Sequence, residues 1–122
     1  MVDNMDMNLD KSAKESPECK GLILINTGSG KGKTTAAIGC ALRSAGHKQK
    51  VLILQYIKGT MKTGELKSIE QLKPYIEIFQ LGKGFIKYKE GKPFITEDDK
   101  KDAKQAYEFS IKKVKNGTYN LI

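Results

Sequence analysis

Residues 21–37 read "GLILINTGSGKGKTTAA". The first part, "GLILIN", is a continuous apolar run, the pattern of a strand in a parallel sheet buried on both faces. The middle, "TGSGKGKTT", gives up side chain at three glycines and keeps two lysines. The last part opens a helix, which continues as "TTAAIGCALRSAG", with Ala36, Ala37, Cys40, Ala41 and Leu42 as a small-residue face and Gly46 placed to end it. A second apolar run, "KVLILQYI" (50–57), reads as another buried strand. Strand, helix and strand in this order form a βαβ unit with a right-handed crossover. The expected fold class is therefore α/β: a three-layer domain with a mostly parallel sheet.

Further along, "ELKSIEQL" (65–72) reads as a short helix stopped by Pro74, and "IEIFQL" (76–81) as a third strand. "GKGFIKYKEGKP" reads as a loop. Thr96 precedes "EDD", an N-cap with acids in the first turn and Asp99 at the capping-box position. A helix is expected over 97–115, with Ala103, Ala106, Tyr107, Ile111 and Val114 as its buried stripe. Lys112, Lys113 and Lys115 favour its C-terminus, and Asn116-Gly117 ends it. "TYNLI" begins a fourth strand, and the chain stops there, which reads as a truncated domain. The domain expectation is a flexible tail over 1–18 and one nucleotide-binding domain over 19–122.

The 122 residues suffice for one small domain with a core, and no apolar run approaches the ~20 residues of a membrane span. The polar, acidic N-terminus lacks the pattern of a signal peptide, so a cytoplasmic address is expected. Cys19 and Cys40 form no CxxC pair and are expected to be reduced thiols. The net charge is +8; residues 1–18 carry five acids and two lysines, a net of −3, so the rest carries +11. A basic body suits an anionic ligand. Lys48, Lys50, Lys100, Lys101, Lys112, Lys113 and Lys115 read as solvated surface. The lysines are dispersed, with no aromatic–basic interleaving and no nucleic-acid motif, so neither nucleic acid nor membrane is an expected partner.

The loop at 28–35 carries the chemistry. Glycine enters positive φ without steric cost. Successive backbone N–H groups of a tightly bent segment then converge into an anion nest, reinforced by the positive pole of the helix that follows. Lys33 is placed to reach outer phosphates, and the Thr34 hydroxyl to hold magnesium. The usual G-x-x-x-x-G-K-[ST] spacing is not met in full: Thr27 stands at the first glycine position, Gly28 comes one residue later, and Lys31 is an additional lysine.

The longer stretch resembles the P-loop-type corrinoid adenosyltransferases, which act on cob(I)alamin or cob(I)yrinic acid a,c-diamide. The resemblance is carried by "TGSGKGKTTAA", "LRSAGH", "QYIKG", "TGE" (63–65) and "FQLGKGF" (79–85), and it extends over residues 20–122. It implies a P-loop NTPase-type domain that transfers the 5′-deoxyadenosyl group of ATP to cobalt(I) and releases triphosphate. Cobalt(I) is itself the nucleophile, so no general acid or base is required. By position, Gly28, Ser29, Gly30, Lys31, Gly32, Lys33, Thr34 and Thr35 are implied as the ATP site, with Thr34 on magnesium. Ser29 stands where the family commonly has Asn. Arg43 matches a nucleotide-holding arginine, or is a surface arginine on a helix. Lys58 and Glu65 lie in matching segments, and His47 either belongs to the motif or favours the helix dipole. Phe85 matches the corrinoid-facing loop, where the family often has Trp two residues later and this chain has Lys87.

The implied cofactors and partners are ATP, Mg2+, a corrinoid substrate, a flavoprotein reductant and a second copy in a homodimer. The N-terminal tail is implied as a cover over the corrinoid. An acidic pair that follows the fourth strand in the family lies past "YNLI", so weak or absent turnover is expected of this chain alone. The other readings are a P-loop ATPase or kinase cleaving the terminal phosphate, told apart by its product, and a nucleic-acid-binding module.

Overall fold

The computed structural model describes residues 21–57 and 62–122. The expectations for the 1–18 tail, and for Cys19 and Lys58, lie outside the described residues. The described elements run α1 (Lys33–Gly46), β1 (Val51–Gln55), α2 (Gly64–Glu70), β2 (Ile76–Gln80), β3 (Lys87–Lys89), β4 (Lys92–Phe94) and α3 (Glu97–Lys115).

β1 and β2 pair in parallel, Val51 opposite Ile76 and Gln55 opposite Gln80. On the other side of β1 lies the 120–122 segment, with Leu121 in parallel bridges to both Val51 and Leu22. The bridges rest on Leu22 N–H donating to Asn120 O (2.9 Å), Ile122 N–H to Leu22 O (2.9 Å) and Leu52 N–H to Leu121 O (2.9 Å). The lateral order is therefore 22–24, 120–122, β1, β2. The last segment of the chain is inserted between the first apolar run and β1, which adjacency in sequence does not reveal.

Side chains alternate across each strand. Val51 and Ile76 form the core with Ala41 of α1 and Ile69 of α2, and Ile38, Ala45, Ile53, Leu72, Ile78 and Leu121 pack around them. Next to Ile78 in the alternation is Phe79, whose ring meets Phe109 of α3 edge-on at 5.1 Å. The Lys113 ammonium lies 4.8 Å from the Phe79 centroid. At the end of β1, the Tyr56 hydroxyl is hydrogen-bonded to Ser110 of α3. Helices thus contact both faces of a small parallel sheet: α1 and α2 on one, α3 on the other. Burying a side chain such as Leu52 or Ile76 contributes about 2–3 kcal/mol each.

Helix ends follow local chemistry. At α3, Thr96 N–H donates to Asp99 Oδ2 (2.7 Å) and Asp99 N–H to Thr96 Oγ1 (3.2 Å), the expected capping box. α1 is still helical at Gly46; the left-handed residue that stops it is Lys48 (φ 59°), with Lys48 N–H on Ala45 O.

Four expectations change. The 21–26 run is not buried: Leu22, Ile23, Leu24 and Ile25 are all exposed, because among the described residues they are paired on one side only. The inward face of α1 is Ile38, Ala41 and Ala45, while Ala36, Cys40 and Leu42 are exposed. In α3, Ala103 and Tyr107 are exposed; the buried positions are Ala106 and Ser110. The "KYKEGKPF" stretch is not a loop but an antiparallel hairpin, with Lys87 opposite Phe94 and Lys89 opposite Lys92. Its Glu90-Gly91 turn has both residues at positive φ (52° and 75°), as a two-residue hairpin turn needs. That hairpin also interleaves basic and aromatic residues, contrary to the expectation of none.

Candidate functional site

The 22–24 strand delivers the chain into the 28–35 loop at the carboxyl end of the parallel sheet. Gly28, Gly30, Lys31 and Gly32 all have positive φ (105°, 60°, 65° and 74°). Positive φ at these four positions bends the loop tightly, a backbone in which neighbouring N–H groups can converge on an anion. Lys31 pays the usual steric penalty of a side chain in that region. α1 starts directly after, with Gly32 as its N-cap, no side-chain cap and no acid in its first turn. The N–H groups of its first turn thus have no side-chain acceptor, and its positive pole is unopposed by a carboxylate of that turn.

Ser29 and Thr35 are exposed beside these glycines, and Thr34 is half-buried in the first turn of α1. The Lys33 ammonium donates to Gly30 O at 3.2 Å, folded back over the loop. The structure therefore brings Gly28, Ser29, Gly30, Lys31, Gly32, Lys33, Thr34 and Thr35 together. Arg43 is different. It stands in the last turn of α1, ten residues after Lys33, about 15 Å along the axis at the helical rise. His47 caps the same end. Glu65 is in the first turn of α2. Phe85 is 82% exposed, in the link between β2 and the β3–β4 hairpin.

Magnesium fits in part. Thr34 supplies one hydroxyl, and among the described residues no group of three or more His, Cys, Asp or Glu is placed to hold a metal. Mg2+ keeps waters and substrate phosphate oxygens as ligands. One hydroxyl therefore suits an ion that arrives on a nucleotide, rather than one caged by these side chains.

Two features at the carboxyl end were missed from sequence. Gln55 and Gln80 end β1 and β2 on the α1 face, and Gln80 Nε2 donates to Gln55 Oε1 at 3.2 Å. Their signal was a single glutamine near the end of each apolar run. The other feature is the hairpin root: a Cβ on Gly82 would lie 3.4 Å from Ile57 N. Gly82 (φ 87°) thus lets the chain leaving β2 press against the end of β1. Lys83, paired with Asp102 at 3.5 Å, ties that root to α3.

A tightly bent, lysine-bearing loop before a helix, at the carboxyl end of a small parallel sheet with helices, defines the class as α/β. Residues 19–122 match the family described as ATP:corrinoid adenosyltransferase BtuR/CobO/CobP, and the chain belongs to that family. It is similar to the corrinoid adenosyltransferase of Escherichia coli (strain K12), 45% identical over 62 residues, covering 51% of this chain and 32% of the relative. The corrinoid adenosyltransferase of Sinorhizobium sp is 40% identical over 87 residues, covering 66% of this chain and 41% of the relative. That of Pseudomonas aeruginosa is 32% identical over 77 residues, covering 63% and 38%. The matched stretches thus span between 32% and 41% of the length of these relatives. No described helix is long and apolar enough to cross a membrane.

Proposed function

We propose that the chain acts in adenosyl transfer from ATP to a reduced corrinoid, with the 28–35 loop gripping the triphosphate. The supporting observation is the run of left-handed residues at Gly28, Gly30, Lys31 and Gly32 feeding an uncapped helix N-terminus, in a chain of the adenosyltransferase family. In this reading the domain is of the three-layer P-loop type. Cobalt(I) attacks C5′ of ATP, a cobalt–carbon bond forms, the C5′–oxygen bond breaks, and the electron pair leaves on intact triphosphate.

The residues of this chain serve the leaving group. Loop amides, Lys31 and Lys33 neutralise the charge that grows on the departing oxygen. Thr34 would hold, through its hydroxyl, a magnesium ion carried on the phosphates, which would supply further positive charge there. Ser29 and Thr35, both exposed, offer hydroxyls to phosphate oxygens. Phe85 presents an exposed ring to the corrinoid. Arg43, at the far end of α1, serves the nucleotide only if ATP extends beyond the loop toward that end. A cytoplasmic setting, a flavoprotein reductant and a homodimer belong to the same reading. Terminal-phosphate cleavage, the other chemistry such a loop supports, is not favoured by the family.

The test has two parts. The protein is titrated with ATP and magnesium, and saturable binding that Lys33→Ala weakens is expected. Chemically reduced cobalamin is then added, and the visible spectrum is followed for a cobalt–carbon bond with triphosphate as the phosphorus product. ADP and phosphate as products, or ATP binding indifferent to Lys33, would overturn the reading.

A further inference from the structure

The β3–β4 hairpin separates its chemistry by face. Register and alternation put Lys87, Lys89, Lys92 and Phe94 on one face, and Tyr88 and Pro93 on the other. Every residue of both strands is exposed. A two-stranded hairpin with nothing packed on it is marginal in water. Lys89 and Lys92 stand directly opposite each other, an arrangement that costs stability unless an anion lies between them. Among the described residues neither makes an ion pair; Lys83, at the root, is already held by Asp102. The nearby carboxylates are Glu90 in the turn and Asp99 at the start of α3, the latter in the field of Lys83 and Lys87.

The hairpin leaves β2 at the carboxyl end of the sheet, the end that bears the phosphate loop. Three strand steps separate the 22–24 strand from β2, about 14 Å at the usual interstrand spacing. A corrin ring with its side chains has comparable breadth. It is a flat apolar plate fringed with carboxylates or carboxamides. The ammonium groups of Lys89 and Lys92 form charge-assisted hydrogen bonds with the former and weaker, neutral-acceptor bonds with the latter.

We propose that the Lys87–Lys89–Lys92 face of the hairpin binds peripheral carboxylates of the corrinoid, so that a corrinoid with free acid side chains is preferred to its amidated counterpart. This rests on the adenosyl-transfer reading and adds a site to it. ATP is not the anion in question, since the loop takes its phosphates.

The test is equilibrium dialysis of the full chain at low salt, with magnesium and ATP present. The two probes are cobyrinic acid a,c-diamide, most of whose carboxylates are free, and cobinamide, in which they are amides. The expected result is about tenfold tighter binding of the acid, a preference lost in the Lys89→Gln/Lys92→Gln variant and weakened by added salt. The Lys48→Gln/Lys104→Gln variant has the same net charge and should keep the preference. Circular dichroism of the hairpin variant should match the parent, because both side chains are exposed. Equal affinity for the two probes, or equal loss of preference in both variants, would overturn this inference and leave the adenosyl-transfer reading standing. Binding of neither corrinoid would overturn both. Tight binding of a single-stranded oligonucleotide through Lys89 and Lys92, with no corrinoid preference, would reassign the face.

Discussion

"GLILIN" and "KVLILQ" are nearly the same words, yet the structure uses them in opposite ways. In β1, Val51 and Leu52 are 2% and 1% exposed; in the earlier run, Leu22 and Ile25 are 61% and 79% exposed. β1 is flanked by β2 and by the 120–122 segment, with α1 on one face. The 22–24 strand has a neighbour on one side only among the described residues. An apolar run specifies a strand; its burial depends on what the rest of the fold lays against it. The comparison also divides the labour. β1 and β2 supply the core, whereas the 22–24 segment leads into the 28–35 loop.

The sharpest way to break this comparison is a matched pair of truncations. Leu52→Ala should cost about 2–5 kcal/mol in denaturant unfolding, as buried leucines do. Ile25→Ala, at an exposed position, should stay within about 0.5 kcal/mol. Equal losses would show that the first run is as much core as the second. Next in size, Lys33→Ala should weaken ATP binding about tenfold or more, roughly 1.4 kcal/mol, with the unfolding midpoint unchanged. Its hydrogen bond goes to the loop's own Gly30 carbonyl and not to the core. A large drop in stability would mean that the exposed strand and its loop carry structural weight after all.

The cap of α3 allows a smaller test on the buried side of the comparison. Thr96→Ala should cost about 1 kcal/mol. The Thr96 backbone N–H, then its side chain, hold the Asp99 carboxyl below the usual carboxylate range. A carboxyl lowered in the folded state stabilises at pH values above its unfolded pKa, and that contribution is lost as pH falls through the folded value. The helix signal should therefore lose stability in acid in the parent and show less of that dependence in Thr96→Ala, read by circular dichroism.

The smallest effect belongs to the segment that joins the two halves. The Tyr119 hydroxyl donates to Glu77 of β2, reaching across β1. Desolvation, then that carboxylate, push its pKa up to about 12. A raised phenol stabilises below its unfolded pKa and loses that contribution as pH rises through about 12. Tyr119→Phe should cost about 0.5–1 kcal/mol at neutral pH and flatten the alkaline limb of a stability–pH profile.

Much of the fold was legible residue by residue. The Thr96–Asp99 capping box set the start of α3, since both partners lie within one helical turn. The glycines at 28, 30 and 32 marked the left-handed loop, because few other residues accept that backbone. The β3–β4 hairpin escaped notice because its turn uses Glu90, a residue seldom found in the left-handed region. The true inner stripe of α3, with Ala106 and Ser110, was obscured by apolar residues on a neighbouring face, so composition alone pointed to Tyr107 as well. Of the expected site, the loop residues lie together as their adjacency requires. The distance from that loop to Arg43 follows from helix rise and could have been counted in advance.

By itself, the sequence determined what depends on neighbours along the chain: helix caps, the left-handed loop, the apolar runs and the charge of the tip that became a hairpin. Only the tertiary structure decided that residues 120–122 enter between the first run and β1, that one apolar run is covered and its twin is not, and that Lys89 faces Lys92. The physical reason is that lateral strand order and burial are set by contacts between distant residues. Those contacts are selected by the summed packing of the whole domain and leave no mark in any one local pattern.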